Sequence, residues 1–180
     1  MDTGEAIWMR YISGDESAFD ELLYQYRLPL IFFIDRFLHD PDGSEDIAID
    51  VFVELLAHPR RYRSGTSLKT YLFLLARSRA IDCLRHRKRL SVEPLPENLA
   101  ASEELEAAIL TDERKRAVNA AIAQLPEQTQ QAIHLVYFEE MSYAQAAAVM
   151  GKTTKQIDNL LSRGKLALKD ILGKEGAELL

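Results

Sequence analysis

Residues 67–89 read SLKTYLFLLARSRAIDCLRHRKR, and this stretch decides the fold. It contains neither Gly nor Pro and is long enough for about six turns of α-helix. Apolar residues recur along two of its sides, which predicts a helix packed inside an all-α bundle. We expect these sides to carry Leu68, Leu72, Leu75, Ala76 and Cys83, and Tyr71, Leu74, Ser78 and Ile81. The third side, with Lys69, Phe73 and Arg77, is expected to face outward.

A short basic loop, PRRYRSGT at residues 59–66, precedes this helix. Single-stranded nucleic acid binds to such combinations, because cations follow the phosphates and flat rings stack on unpaired bases. The ordinary alternative is a solubilising helix end that complements the helix dipole, with the rings as core packing. The candidate strand contacts are Arg60, Arg61, Tyr62, Arg63, Lys69, Phe73, Arg77, Arg85, Arg87 and Lys88.

Charge is distributed unevenly along the chain. The formal net charge is -6, yet residues 60–89 hold ten of the 22 Lys and Arg residues and a single acid, Asp82. Affinity for phosphate depends on the local field, so a basic patch on an acidic protein can still bind nucleic acid. No apolar run is long enough for a membrane span, and the N-terminus does not resemble a secretory signal. One cysteine, Cys83, excludes an internal disulfide. We therefore expect a cytoplasmic protein.

The pattern of breaks predicts two helical bundles joined by an acidic linker that contains Pro94 and Pro96. The predicted domains are residues 1–89 and 111–180, with the linker at 90–110. The alternative is an ordered loop of one larger domain. Within the first bundle, Pro29 is expected to kink or split a helix, and Ser44 is expected to cap the next one.

Residues 142–169 fit a helix-turn-helix. Ser142 and Gln145 are spaced as a capping box, and Gly151 suits a left-handed turn before a helix that starts at Thr153 or Thr154. The outward residues can read base edges in a major groove or bind phosphates: Lys155, Gln156, Asn159, Arg163 and Lys165. Two packed helices around a glycine turn also occur in bundles that do not bind DNA.

The order and spacing of these segments resemble bacterial RNA polymerase sigma factors of the small extracytoplasmic-function type. The resemblance runs over residues 14–89 and 112–172, including DPDGSEDIAIDVFVELL and SYAQAAAVMGKTTKQIDNLLSRGKLALK. It implies that the helix around residues 46–56 binds core RNA polymerase, with Asp46, Asp50, Phe52 and Glu54 as contacts. For the acidic residues of this helix, the alternative is a solvated face.

The resemblance also assigns the DNA contacts. It implies that residues 60–66 capture a flipped base of the melted −10 element, that Lys69, Phe73, Arg77 and the basic tail guide this single strand, and that the last helix reads the −35 element as duplex. An anti-sigma factor is an expected partner. Some positions depart from the family pattern: Tyr71 stands where Trp is common, Ser78 where Asn is usual, and Asp158 where a basic residue is common.

Two other functions are alternatives for this sequence. A stand-alone helix-turn-helix regulator explains residues 111–172 but leaves the basic unit at residues 60–89 without a task. A small hydrolase or metal enzyme has little support, because the four histidines form no recognisable constellation. His39, Asp40 and Asp42 lie together only because a turn collects such residues. We therefore expect no enzyme activity, no metal and no cofactor.

Overall fold

The structure is a computed structural model that describes residues 3–63, 65–90 and 113–173. All regular elements in these ranges are helical, which confirms the predicted all-α class. The helices are α1 (Thr3–Ile12), α2 (Ser17–Leu38), α3 (Pro41–Ala57), α4 (Leu68–Leu90), α5 (Glu113–Ala123), α6 (Glu127–Ile133), α7 (Tyr143–Met150) and α8 (Thr154–Leu172). Except for Leu90, the predicted linker lies outside the described residues.

Helices α1 to α4 form the first bundle, whose core lies between α2, α3 and α4. Large apolar side chains from all three helices are fully buried there, among them Leu22, Phe33, Ile34, Leu55, Leu68 and Leu72. Helix α1 adds Trp8, whose buried ring stacks on Tyr11 with the ring centroids 5.3 Å apart. A helix in this N-terminal segment was not among the predicted elements.

Two helix boundaries in the first bundle differ from the prediction. Helix α2 is not split at Pro29, because a proline removes only one hydrogen-bond donor and the apolar period continues on both sides of it. Helix α3 begins at Pro41, before the predicted cap Ser44, since proline suits the first helical position. The N-cap is Asp40, whose Oδ1 accepts a hydrogen bond from the Gly43 amide at 3.1 Å. Ser44 instead donates its hydroxyl to the Asp40 carbonyl oxygen at 2.8 Å.

Helices α5 to α8 form the second bundle, and α7 and α8 have the predicted helix-turn-helix arrangement. Ser142 and Gln145 form the expected capping box at the start of α7. Gly151 ends this helix with a φ of 62°, a backbone conformation that glycine adopts without steric penalty. Thr153 and Gln156 form a second capping box at the start of α8. Between α6 and α7 the chain passes through a π-helical segment, His134–Phe138.

The two bundles pack against each other, mainly through α4 and α7. The buried face of α4 carries Leu68, Leu72, Phe73, Ala76 and Ala80. The expectation that Phe73 faces outward is wrong: its ring is fully buried, and its centroid lies 5.1 Å from that of Phe33. Leu74, expected to be inward, is 42% exposed. Of the second apolar side predicted for α4, Tyr71 and Ile81 pack against the core, whereas Leu74 and Ser78 are exposed.

Gly164 lies on the buried side of α8, where a Cβ atom would come within 2.7 Å of Thr129 Cγ2 and 3.0 Å of Ile133 Cδ1. We expect Gly164→Ala to lower the free energy of unfolding by about 1–2 kcal/mol, because overpacking outweighs the better helix propensity of alanine. Chemical denaturation measures this difference. The control is Ser162→Ala at an exposed position of the same helix, which should leave stability unchanged or slightly higher. Equal losses in both variants would contradict the packing explanation.

Candidate functional site

Helix α3 presents an acidic and apolar face to solvent. Asp46 and Asp50, two of the predicted polymerase contacts, are exposed on it. Ile49 and Val53 lie beside them at helical spacing and are 47% and 55% exposed. A surface that combines carboxylates with aliphatic groups fits a partner surface that carries basic and apolar side chains. The carboxylates were among the predicted contacts, whereas this aliphatic pair was not.

The other two predicted polymerase contacts on α3 point into the protein. Phe52 is 3% exposed, and its ring meets that of Phe19 edge-on with the centroids 6.1 Å apart. The side chain of Glu54 is 14% exposed and is held by two arginines of the same chain. The expectation that these two side chains face a partner is therefore corrected. Positions four apart in a helix drift by about 40° per step, so a stripe that starts at Asp46 has turned toward α4 by Glu54.

Glu54 fixes the basic loop that precedes α4. The loop opens with a short 3-10 turn, Pro59–Arg61, and the Arg61 guanidinium donates to one oxygen of the Glu54 carboxylate. Arg79 of α4 donates to the other oxygen at 2.9 Å. One carboxylate thus joins α3, the loop and α4. Burial beside the Glu54 charge also raises the pKa of Tyr71, which lies next to this cluster.

Tyr62 anchors the far side of the loop. Its ring packs on Tyr71 with the centroids 5.5 Å apart, and its hydroxyl donates to the Thr66 carbonyl oxygen at 3.1 Å. The ring is half-buried, so part of it remains accessible for stacking. Arg60 and Arg63 are exposed on either side of it. The structure thus brings together an aromatic ring and two solvent-facing cations, as the sequence predicted.

The predicted outward stripe of α4 is partly covered by the second bundle. Lys69 is half-buried because it bonds to Glu139 of that bundle. Arg77 is also half-buried and lines an interbundle cleft of about 330 Å³ together with Ala148 and Val149 of α7. Burial lowers the pKa of the Arg77 guanidinium. In this arrangement, none of the three stripe residues offers a freely exposed side chain to DNA.

The basic end of α4 is only partly free. Arg87 Nη2 donates to Asp40 Oδ2 at 2.5 Å, so this arginine ties the end of α4 to the cap of α3. Its guanidinium passes over Gly43, where a Cβ atom would come within 2.8 Å of it. Arg85 forms a loose ion pair with Asp82 at 3.4 Å, and Lys88 is exposed. Arg85 and Lys88 therefore remain available to phosphate, whereas Arg87 has a structural role.

The predicted reading face of α8 is exposed. Its buried side is formed by Ile157, Leu161, Gly164 and Leu168. The solvent-facing side carries Lys155, Gln156, Asn159 and Arg163. These residues span about two turns of one helix and offer both hydrogen-bonding groups and cations, which suits the major groove of DNA. The structure therefore bears out the orientation predicted for this helix.

Two of the predicted reading residues also make contacts within the second bundle. Gln156 accepts a hydrogen bond from the Thr153 amide on its side-chain oxygen at 2.8 Å. Lys165 is exposed, but its Nζ lies 5.1 Å from the centre of the Tyr137 ring, a cation–π contact. Hydrogen bonding to Tyr137 raises the pKa of Lys165. The ammonium group is thus held toward the π-helical segment, to one side of the reading face.

A polar cluster lies buried between the two bundles. Lys69 Nζ donates to Glu139 Oε2 at 2.8 Å and to the Glu139 carbonyl oxygen at 2.6 Å. The Oε1 atom of the same carboxylate lies 3.4 Å from His134 Nε2, too far for more than a weak hydrogen bond. The His134 ring packs between Phe33 of α2 and Phe138, with centroid distances of 5.8 and 5.6 Å. Both Glu139 and His134 are buried.

Protonation in this cluster follows from burial. Burial lowers the pKa of His134, and the charges of Arg36 and Lys69 lower it further against the opposing effect of Glu139. Burial by itself would raise the pKa of Glu139, but His134 and Lys69 outweigh this, and its pKa is lowered. Near neutral pH the cluster therefore holds a Lys69–Glu139 ion pair beside a neutral His134. No local sequence pattern indicates that residues 69 and 139 meet.

Two further properties concern the described part of the chain. There, no three His, Cys, Asp or Glu side chains come together in a way that could hold a metal ion. None of its helices combines the length and the apolar character needed to cross a bilayer.

Two family models match the chain in the order of the two bundles. The model described as "Sigma-70 region 2" matches residues 22–90, and "Sigma-70, region 4" matches residues 115–168. The RNA polymerase sigma-H factor of Pseudomonas aeruginosa is 28% identical over 173 residues, covering 88% of each chain. The ECF RNA polymerase sigma factor SigK of Mycolicibacterium vanbaalenii is 26% identical over 180 residues, covering 94% of this chain and 89% of the relative.

Solved structures share the fold. The sigma factor RpoE of Bartonella quintana, in complex with the anti-sigma factor NepR, superimposes with a TM-score of 0.66 and 21% identity, over 87% of this chain and 97% of that one. CnrH, in complex with the cytosolic domain of CnrY, gives a TM-score of 0.66 and 20% identity, over 95% of this chain and 97% of that one. Both comparisons support an all-helical chain of two bundles.

The lowered pKa of His134 makes stability depend on pH. The unfolded chain binds a proton on this imidazole below about pH 6.5, its ordinary pKa, whereas the folded chain resists protonation. The folded state therefore has its full stability above that pH, and it loses stability relative to the unfolded chain as the pH falls below it. We expect the free energy of unfolding to decrease between pH 7.5 and 5.5 by up to about 1.4 kcal/mol per pH unit from this group.

Denaturant titrations at several pH values measure this slope. His134→Gln should flatten it, because the titrating group is gone. The control is His86→Gln at an exposed position of α4, which should keep the wild-type slope. An unchanged slope in His134→Gln would show that the buried imidazole does not cause the pH dependence.

Proposed function

The chain belongs to the RNA polymerase sigma factors of the extracytoplasmic-function type, and from this premise we propose how its surfaces direct promoter recognition and transcription initiation. The domain at residues 1–89 binds core polymerase and captures the melted −10 strand. The domain at residues 111–180 reads the −35 duplex, and residues 90–110 connect the two domains. The observation that carries the proposal is the match of the two sigma-70 models, in order, to two bundles that each expose cations.

Core polymerase binds the exposed face of α3 in this proposal. The carboxylates of Asp46 and Asp50 steer a basic partner surface, and Ile49 and Val53 supply apolar area that becomes buried on binding. Phe52 and Glu54 act behind this face: the first packs in the core, and the second holds the loop. Polymerase docking and the anchoring of the strand-capturing loop thus use adjacent sides of one helix.

The loop at residues 59–66 captures the melted strand. Arg60 and Arg63 contact phosphates, and the accessible part of the Tyr62 ring stacks on an unpaired base. Glu54 and Tyr71 hold this loop in place from behind, through Arg61 and Tyr62. Arg85 and Lys88 extend the path of the strand along the end of α4. Lys69 and Arg77 join this path once the second bundle has moved away.

Helix α8 reads the −35 element as duplex DNA. Lys155 and Arg163 contact phosphates or guanine edges, and Gln156 and Asn159 offer amide groups to base edges. Asp158 is also exposed and would repel phosphate, which places the phosphate contacts on the flanking cations. Because each base contact contributes only a modest free energy, attachment to polymerase beside a second reader supplies the remaining affinity.

An anti-sigma factor is a further proposed partner, and the solved structure of RpoE with NepR supports this class of partner. Like its relatives, the chain is proposed to act with RNA polymerase in the cytoplasm and to catalyse no reaction itself. A stand-alone helix-turn-helix regulator is not favoured, because the match of the first bundle to sigma-70 region 2 would then have no purpose.

Run-off transcription with purified core polymerase on a promoter library tests the function directly. We expect this chain to stimulate specific transcripts from a subset of promoters and to bind core polymerase in a pull-down. No stimulation from any promoter, together with no core binding, would contradict the proposal. Tight, site-specific duplex binding without polymerase would instead favour the stand-alone regulator.

The α3 face makes a prediction about polymerase binding. Val53→Asp places a charge in the proposed apolar contact, and we expect core polymerase to bind about tenfold or more weakly, as for a central interface residue. Titration of core polymerase with labelled protein measures the change. The matched control is Ile12→Asp on α1, a residue that is 50% exposed but distant in sequence from the proposed interface. Equal effects of the two substitutions would contradict the assignment of this face.

The loop makes a prediction about promoter opening. Arg63→Ala removes an exposed cation, so we expect less opening of the −10 region and weaker binding to premelted promoter, with −35 duplex binding nearly unchanged. Permanganate reactivity of unpaired thymines measures opening. The control is Arg27→Ala, an exposed arginine that is paired with Glu45 on another part of the first bundle. Equal losses in opening and in duplex binding by Arg63→Ala would count against the loop assignment.

A further inference from the structure

The first residues of α4 are bound to the second bundle by polar contacts. Lys69 reaches both the carboxylate and the carbonyl oxygen of Glu139, although the two residues are 70 positions apart. Gln145 of α7 lies 3.3 Å from the Ser67 hydroxyl and donates a hydrogen bond to it. Ser67 and Lys69 follow closely after the loop at residues 59–66. The second bundle therefore binds the side of α4 that the single strand is proposed to follow.

Apolar contacts flank this polar link. The rings of Phe33 and His134 face each other across the interface with their centroids 5.8 Å apart. Further along α4, Arg77 and Ile81 line a cleft whose opposite wall is formed by Ala148 and Val149. The contact between the bundles thus extends from Lys69 to Ile81 of α4, and it combines an ion pair, tilted aromatic rings and small apolar side chains.

This arrangement does not fit a promoter. The −10 and −35 elements are about 25 base pairs apart, which corresponds to roughly 85 Å at 3.4 Å per step along DNA. A compact protein of this length has a radius of gyration of about 16 Å, hence a diameter near 40 Å. The packed chain cannot contact both elements at once. A form in which the bundles are separated is therefore required for the proposed function.

We propose that the strand-guiding side of α4 is also the docking surface for this chain's own second bundle, with Glu139 bound to Lys69 where a strand phosphate binds in the open form. This inference rests on the proposed function of α4. A carboxylate and a phosphate are both oxyanions that accept hydrogen bonds from an ammonium group, so the two compete for one cation. The closed chain is consequently a poor binder of single-stranded DNA.

The Lys69–Glu139 ion pair is well suited to hold the two bundles together. Glu139 is nearly fully buried and Lys69 is half-buried, so neither charge is well solvated while the bundles are packed. Removing one partner leaves the other charge uncompensated, which strongly disfavours the packed form. Separation of the bundles returns Lys69 to water and relieves this cost. Loss of the Glu139 charge should therefore shift the chain toward the open form without unfolding either bundle.

The test uses the full chain with spin labels at Asp20→Cys on α2 and Lys169→Cys on α8, both exposed positions, in a Cys83→Ser background. Distances between the labels are measured without DNA or polymerase. We expect a narrow, short distribution for the otherwise unaltered chain and a broad, longer one for Glu139→Gln. The matched control is Glu140→Gln, an exposed neighbour with the same change in charge, which should keep the short distribution.

A charge swap distinguishes the effect of losing the Lys69–Glu139 ion pair from a general loss of packing between the bundles. Lys69→Glu and Glu139→Lys should each open the chain, and the double variant should close it again, because the pair is restored with reversed polarity. Circular dichroism checks that helix content is retained. Distributions that are the same for Glu139→Gln and Glu140→Gln, or a double variant as open as the single ones, would overturn the proposal.

Binding to a fluorescent single-stranded 12-mer of random sequence supplies a second measurement. If the closed form dominates, we expect Glu139→Gln to bind about tenfold more tightly than the unaltered chain, since the apparent affinity scales with the open fraction. Glu140→Gln should bind like the unaltered chain. Longer label distances without tighter binding would overturn the proposed competition between Glu139 and phosphate. The proposed function is tested separately, by run-off transcription.

Discussion

Helix α4 has a limited surface and contacts several parts of the protein. The rest of the structure depends on which of its residues make each of these contacts. Leu68, Leu72, Phe73 and Ala76 close the core of the first bundle. Arg79 reaches sideways to Glu54, and Lys69 reaches the second bundle. A side chain that packs inside the protein cannot bind DNA at the same time. The positions of the two bundles therefore determine how much of this helix is free for a nucleic acid.

The number of Lys and Arg residues in the loop and in α4 overstates the positive charge that the first bundle offers to solvent. Arg61, Arg87 and Lys69 are each bound to a carboxylate of the same chain. Such pairs reduce the local field and position the loop, the end of α4 and the interbundle contact. The exposed cations that remain on the first bundle include Arg60, Arg63 and Lys88. The positive field of this bundle is therefore weaker than its number of Lys and Arg residues suggests, which limits how strongly the surface can attract phosphate.

The helix-turn-helix could be predicted almost residue by residue, because its signals act within one turn of chain. Capping by Ser142, the left-handed Gly151 and the buried position of Ile157 each follow from neighbours in sequence. Phe73 and Glu54 could not be placed in this way. Their surroundings depend on α2 and on the loop, and periodicity alone does not show which side of a largely apolar helix meets another element.

The same limit applies more strongly across the two bundles. Lys69 and Glu139 carry ordinary surface residue types, and nothing nearby in the sequence marks either as buried. Their contact arises only where the two bundles meet, so no pattern within either segment encodes it. The family resemblance supplied the order of the domains and the class of each partner. It did not supply the intramolecular ion pairs.

Gln156 shows how a helix cap can orient a side chain that faces solvent. Its side-chain oxygen accepts a hydrogen bond from the Thr153 amide, which holds the side chain toward the start of α8. Its NH2 group is of the kind that can donate to N7 or O6 of guanine, to N7 of adenine or to O4 of thymine in a major groove. The oxygen keeps a second lone pair, but the direction of that lone pair is set by the cap. The bond that begins α8 therefore restricts the rotamer of this glutamine in advance of any contact with a base.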